Sequence, residues 1–355
     1  MAEEVSHARR LMVEYPLSAG RLLELVQDPD ESRSWLDPAL AQARHLGDRL
    51  SECHLCGRLG NWHVRRGEYG DGLRCYDEAI ALAMEMGNPQ QEEMWRGNAA
   101  AAHILNGSYA EAQTSVARAI SIGRSIGSTQ NESTWLSMLA ATHIERGSYR
   151  EASDIIQQAI AAAERAQNWD QARAAFNEYG IAARQLGQYD DAIEAHERSI
   201  ELARRLGNRR GGSVGLANLG WTLYHTGSLI RAVDCYLQAL PIYREITDLS
   251  LEGDTLNKLG IALTDLGRHA EAEQALQDAL RVHRRIGLQR GAAHDLYNLG
   301  RLMTRWSDRT RARRLFSEAR KLYLEIGQDD WVRRVDQIVR GLRRWPVRRR
   351  PPAQV

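Results

Sequence analysis

The sequence predicts an all-α fold, a solenoid of stacked helical hairpins, and three observations carry that expectation. Glycine recurs at 67, 107, 147, 187, 227 and 267, with Ser307 next in line; a second series of breaks runs Gly87, Gly127, Gln167, Gly207, Thr247, Gly287 and Gly327 at the same 40-residue step. Two columns of small residues keep that step: Gly60, Ala100, Ala140, Gly180, Gly220, Gly260, Gly300 and Ala79, Ala119, Ala159, Ser199, Ala239, Ala279, Ala319. Between breaks, apolar residues recur at three and four, as in Ile193, Ile200 and Leu202 around Ala192 and Ala203, which is helical periodicity.

Taken in order, residues 1–47 read as a degenerate N-terminal capping repeat, because Trp35, Leu36, Leu40, Ala43 and Gly47 match the end of a second helix. Seven regular units follow at 48–87, 88–127, 128–167, 168–207, 208–247, 248–287 and 288–327. Each holds two helices of about 16–18 residues, roughly 25 Å long, with the 67-type and 87-type glycines as C-caps. The small columns let two helix backbones approach; a larger side chain there overpacks the contact at a cost of about 1–3 kcal/mol. Residues 328–344 carry Trp331, Val332, Val335, Ile338, Val339 and Leu342 against arginines on the other face, as a terminal capping helix must. Residues 345–355 hold three prolines and three arginines and are expected to be a basic, disordered tail.

Composition narrows the function. With 43% hydrophobic and 26% charged residues, the 355-residue chain is a folded protein. The longest apolar run, Ala79–Met84, is too short to span a bilayer, and Met1-Ala2-Glu3-Glu4 leads into no secretory signal, so a cytoplasmic location is expected. Four cysteines are too few for a disulfide framework. Net charge is +1, but residues 340–355 hold six arginines and no acid, which leaves an acidic body with no footprint for nucleic acid.

The columns resemble tetratricopeptide repeats. Leu219-Gly220 with Gly227, Ala232, Tyr236 and Ala239 carries most of that family's pattern, and Gly147, Tyr149, Ala152 and Ala159 carry it again. The 40-residue version is similar to the repeats of kinesin light chains, Pins-type adaptors and the sensor regions of actinobacterial regulators and signalling ATPases. The resemblance implies a right-handed superhelix whose first helices line a concave groove. Relative to the 60-type small residue, groove positions lie six, three and two before it, and one, four and five after.

At those positions stand Arg58, Asn61 and Arg65 in the first unit and Asn98, Ile104 and Leu105 in the second. Asn177, Arg184, Asn218, Trp221, Tyr224 and His225 follow in units four and five, and Asn257, Tyr297, Asn298, Arg301 and Arg305 in units six and seven. Asparagine is a poor mid-helix residue, and its amide donates and accepts at once, which suits the backbone of an extended peptide. It also suits a bond between neighbouring helices. Trp221, Tyr224 and Tyr297 fit aromatic anchors, or inter-repeat core for the tyrosines. The expected role is a non-catalytic scaffold or adaptor for a peptide or protein segment, with the arginines favouring acidic side chains. A regulatory sensor controlling a separately encoded effector is the alternative, and a groove-based enzyme or cofactor binder the weaker one. Self-association is allowed, but no surface in the sequence singles itself out for it.

No cofactor and no metal are expected. Cys53-His-Leu-Cys56 sits inside a helix and not on a knuckle, so it is not read as a zinc site. His63, His103 and His143 share a column where the family usually buries an aromatic, and read as core. Gly211–Gly215 matches GxSxG, but no strand precedes it as a nucleophile elbow requires.

Overall fold

In a computed structural model of the chain, the described residues are 11–15, 17 and 29–344. They are helices and the turns between them, with no strand among the described residues. The tail at 345–355 and much of the degenerate first repeat lie outside them. After a helical stretch at 11–15 come α1 (Pro29–Leu46), α2 (Arg49–Arg65), α3 (Tyr69–Glu85), α4 (Pro89–Leu105), α5 (Tyr109–Ser125), α6 (Glu132–Glu145), α7 (Tyr149–Arg165) and α8 (Trp169–Gln185). Then follow α9 (Tyr189–Arg205), α10 (Arg209–His225), α11 (Leu229–Glu245), α12 (Leu249–Asp265), α13 (His269–Arg285), α14 (Gln289–Arg305), α15 (Arg309–Glu325) and α16 (Asp329–Arg344).

Local chemistry explains the boundaries. Five first helices start on an Asn or Asp whose side chain accepts the N–H three residues on: Asp48 from Ser51, Asn88 from Gln91, Asn168 from Gln171, Asn208 from Gly211 and Asp248 from Leu251, at 2.8–3.3 Å, whereas α14 starts on Leu288 with no side-chain cap. Ser128 replaces that residue in the third unit and α6 starts late, at 14 residues instead of the expected 16–18. Helices end in Schellman turns: the N–H of Glu68 reaches the carbonyl of His63 at 3.0 Å while Gly67 takes φ 78°.

Three of these turns lack glycine, with Gln167, Thr247 and Ser307 held at φ 53°, 57° and 63°. For the β-branched Thr247 this conformation is strained. Thr247→Gly is therefore expected to raise stability by about 1 kcal/mol, read as a higher urea midpoint at unchanged slope; an unchanged or lower midpoint contradicts it.

The chain divides into two compact units, one ending at Ala175 and the other starting at Phe176, within α8. In the first unit α2 packs on α3, α4 on α5 and α6 on α7, and the first helices also touch one another, α2 with α4 and α4 with α6. That direct contact needs glycine: a Cβ on Gly57 would lie 2.3 Å from the Trp95 ring, and one on Gly97 would lie 2.2 Å from Trp135. The Trp135 indole N–H donates to the buried carboxylate of Glu93 at 2.9 Å.

In the second unit α10 pairs with α11, α12 with α13 and α14 with α15, and α10–α12 and α12–α14 touch directly. Each hairpin closes on a large ring or side chain seated over a glycine: His196 on Gly180, Tyr236 on Gly220, Leu276 on Gly260 and Phe316 on Gly300. Beyond them α16 buries Val332 and Val335 against α15, with Trp331, Ile338, Val339 and Leu342 half-buried beside the core. Among the described residues no helix is long and apolar enough to cross a membrane.

Candidate interaction face

In the second unit, the first helices carry a polar ladder instead of free asparagines. The Asn218 amide donates to Asn177 Oδ1 at 3.0 Å, and Asn298 donates to Asn257 Oδ1 at 3.2 Å. The Asn257 amide in turn donates to Asp295 Oδ1 at 2.5 Å. Asp295 is fully buried, and its Oδ2 lies 2.6 Å from His283 Nδ1. The His283 ring is clasped between Gly253 and Gly291, and its Nε2 lies 3.4 Å from Asp254 Oδ1. Burial alone would lower the His283 pKa, but hydrogen bonds and charge from Asp254 and Asp295 outweigh it and push the imidazole up to about 9. The network is thus a buried imidazole–carboxyl hydrogen bond tied to the asparagine ladder; burial pushes the Asp295 carboxyl up, and its bonds to His283 and Asn257 oppose that.

Next to the ladder lies an aromatic patch on α10. Trp221 and Tyr224 stack at 5.0 Å and 3° between planes, and His225 meets Trp221 edge-on at 4.8 Å. Tyr189, at the start of α9, stacks on His225 at 6.4 Å. The Tyr224 hydroxyl donates to Asp265 Oδ2 at 2.6 Å, and burial together with that carboxylate pushes the phenol up to about 12. Arg305 holds the other oxygen of Asp265 at 2.8 Å. Lys258, on α12, is half-buried; burial lowers its pKa, with Asp254 opposing and Arg184 adding to the shift. Arg184 is half-buried, and Arg301 has no carboxylate within ion-pair distance among the described residues.

Two of the expected groove positions are nearly covered, and for Tyr297 this is the inter-repeat core role that the sequence left open. Tyr297 and Asn298 are 5% and 8% exposed. The Tyr297 ring meets Phe316 at 5.7 Å and Trp331 at 5.3 Å, so α16 covers what an uncapped hairpin would expose. Trp221, Tyr224 and His225 remain partly or fully open.

In the first unit, Arg58 donates to the Leu17 carbonyl at 2.8 Å, and Asn61 Oδ1 accepts the Tyr76 hydroxyl at 2.6 Å. Both are thereby engaged inside the fold. Arg65 is exposed and, with Asn61, Asn98 and Tyr76, lines a shallow hollow. His63, expected in the core, is half-buried, and its Nδ1 pairs with Glu68 at 2.7 Å. His63, Glu68 and Asp71 bring ligand atoms within 4.8 Å of one another, but Arg66 and Arg74 already pair with the two carboxylates, which is the chemistry of an ion-pair network. Cys53 donates to the Ala79 carbonyl at 3.2 Å, and burial pushes the Cys56 thiol up to about 12, so both are unreactive packing residues.

The repeats decide the family. Residues 90–165, 166–245 and 251–325 match the model described as tetratricopeptide repeat. The chain belongs to the tetratricopeptide repeat family. No curated protein matches this tetratricopeptide repeat chain by sequence.

Among solved structures, it is similar to a Signal Transduction ATPase with Numerous Domains protein with a tetratricopeptide repeat sensor from Pyrococcus horikoshii. That match has TM-score 0.70 and 11% identity, and covers 93% of this chain and 50% of that one, so the chain spans half that protein's length. The apo form of RapI matches with TM-score 0.64 and 12% identity, over 77% of this chain and 99% of that one. A Rap protein complexed with competence and sporulation factor matches with TM-score 0.58 and 10% identity, over 95% and 98%. At these identities the likeness shows the fold.

Proposed function

We propose that this tetratricopeptide repeat protein is a non-catalytic scaffold that holds a peptide or protein segment on the first-helix face of its second unit. The observation that carries the reading is the α10 patch: Trp221 and Tyr224 stack in parallel beside His225, partly open to solvent, with Arg184 half-buried on α8. Rigid aromatics beside a fixed polar row make an interface hot spot, because they bury large area at small conformational cost. A regulatory sensor is the second reading. It is supported by the shared fold of a sensor-bearing ATPase and of a Rap protein that binds competence and sporulation factor.

The test is capture of partners by wild type and by a Trp221→Ala, His225→Ala variant, with partners quantified by mass spectrometry and melting curves matched first. Loss of a hot-spot pair is expected to reduce retention of a specific partner roughly tenfold or more. Equal retention by two equally stable baits would remove this face from the proposal. Alanine at Asn218, Asn257 or Asn298 is a poorer choice, since it breaks the ladder as well as the face.

A further inference from the structure

Positive charge is not confined to the tail. Residues 281–344 carry 17 Lys and Arg against 7 Asp and Glu, whereas residues 1–280 carry 27 against 39. Part of that positive charge is paired internally: Arg311 pairs with Glu273 at 2.5 Å, Arg314 with Glu318 at 3.1 Å, and Arg320 with Asp336 at 2.7 Å. Arg281 and Arg333 pair with Asp278 and Asp330. Among the described side chains, Arg290, Arg301 and Arg334 have no carboxylate within ion-pair distance. Arg285, Arg313 and Arg340 share that state, but Arg285 ends α13 against its own helix dipole, Arg313 donates to the Leu342 carbonyl at 2.9 Å, and Arg340 lies about 120° round α16 from Arg334.

The three remaining arginines are arranged for recognition. On α14, Arg290, His294 and Arg301 fall within about 40° of one helical face. Arg334 reaches in from α16, its guanidinium 5.1 Å from the Trp331 ring and 5.9 Å from Tyr297. His294 meets Trp331 edge-on at 4.7 Å. An arginine laid on aromatic faces is oriented without a salt bridge and keeps its in-plane N–H fork for a carboxylate. The acids of the adjacent first helix are already engaged: Asp265 by Arg305 and Tyr224, and Asp254 by His283.

We propose that the face formed by Arg290, Arg301 and Arg334 on α14 and α16 is the docking surface for an acidic peptide segment. This rests on the scaffold reading above and names the chemistry of the partner. Forked guanidinium–carboxylate bonds supply the recognition, and Trp331, itself stacked on Tyr323 at 5.4 Å, holds Arg334 in place for them. A nucleic acid is the poorer fit, because phosphate binding draws on a broad basic surface, whereas residues 1–280 of this chain carry 27 Lys and Arg against 39 Asp and Glu.

The experiment is fluorescence anisotropy of the full chain with a fluorescein-labelled decaglutamate peptide, beside decaglutamine and a deoxythymidine dodecamer, at low salt. Decaglutamate is expected to bind and decaglutamine to fail. An Arg290→Gln, Arg301→Gln, Arg334→Gln variant is expected to bind roughly tenfold or more weakly. An Arg281→Gln, Arg314→Gln, Arg333→Gln variant, which removes equal charge from paired positions, is expected to stay near wild type. Circular dichroism melts of both variants establish that they are folded. Equal losses in the two variants, no decaglutamate binding, or preferred binding of the oligonucleotide would each overturn the proposal. If the α10 variant still loses its captured partner while decaglutamate fails, only the acidic chemistry falls and the scaffold reading stands.

Discussion

Replacing His196 with phenylalanine should make the protein more stable in mild acid. The His196 ring is fully buried, and neither ring nitrogen finds a hydrogen-bond partner among the described residues. Burial, with the Arg184 guanidinium adding to it, holds the imidazole pKa down to about 4. The folded protein therefore refuses a proton that the unfolded chain accepts below 6.5. Stability is fully present above pH 6.5 and is lost as pH falls toward 4, by about 3 kcal/mol in all. Phe316 fills the same column over Gly300 in the last complete hairpin, so phenylalanine fits over Gly180. Urea midpoints of wild type and His196→Phe at pH 7.5 and 4.5 decide it: the variant should win at both, with the larger margin in acid. An equal acid loss in the variant would show that other groups set the dependence.

Asp295→Asn should be costly, by about 3 kcal/mol, because it removes the buried carboxylate at 2.6 Å from the His283 ring and leaves Asp254, at 3.4 Å, as its one acidic neighbour among the described residues. It should also change the alkaline limb. With its pKa raised from 6.5 to about 9, His283 contributes stability that is complete below pH 6.5 and is lost as pH rises through 9. Thermal melts at pH 7 and 9.5 should show that loss in wild type and a smaller one in the variant, where Asp254 alone faces the ring. A variant as stable as wild type at pH 7 would mean that Asp254 alone, 3.4 Å from Nε2, can hold the charge.

Periodicity made the helices legible. The glycine columns at 67 and 87 predict where helices stop, and every described glycine of those series has positive φ, Gly67 at 78° and Gly87 at 59° among them. The aromatic-over-glycine seats were half legible: the small column was read, but its partner column (Tyr76, Val116, Ile156, His196, Tyr236, Leu276, Phe316) was not. Read together, that column would have exposed His196 as a polar ring in an apolar seat.

Pairing between hairpins was hidden for a geometric reason. Neighbouring first helices bond along a diagonal 41 residues apart, as in Asn177–Asn218, Tyr224–Asp265 and Asn257–Asn298, while the columns repeat at 40. Repeat spacing gives every hairpin the same groove positions and so leaves Tyr297 between anchor and core; Trp331 of the capping helix covers it.

The diagonal has a consequence for how such a chain can grow or shrink. Its helix boundaries and aromatic seats are common to most hairpins, so a genetic duplication or deletion of 40 residues leaves them intact. The polar bonds between hairpins are not interchangeable. Asn257 needs both Asn298 and Asp295 in the hairpin that follows it, and Tyr224 needs Asp265. Deleting 248–287 would set Ala217 of hairpin 208–247 beside Asp295 and strand the carboxylate. Within the second unit, the order of hairpins is thereby written into polar chemistry, and its length is locked against in-register recombination.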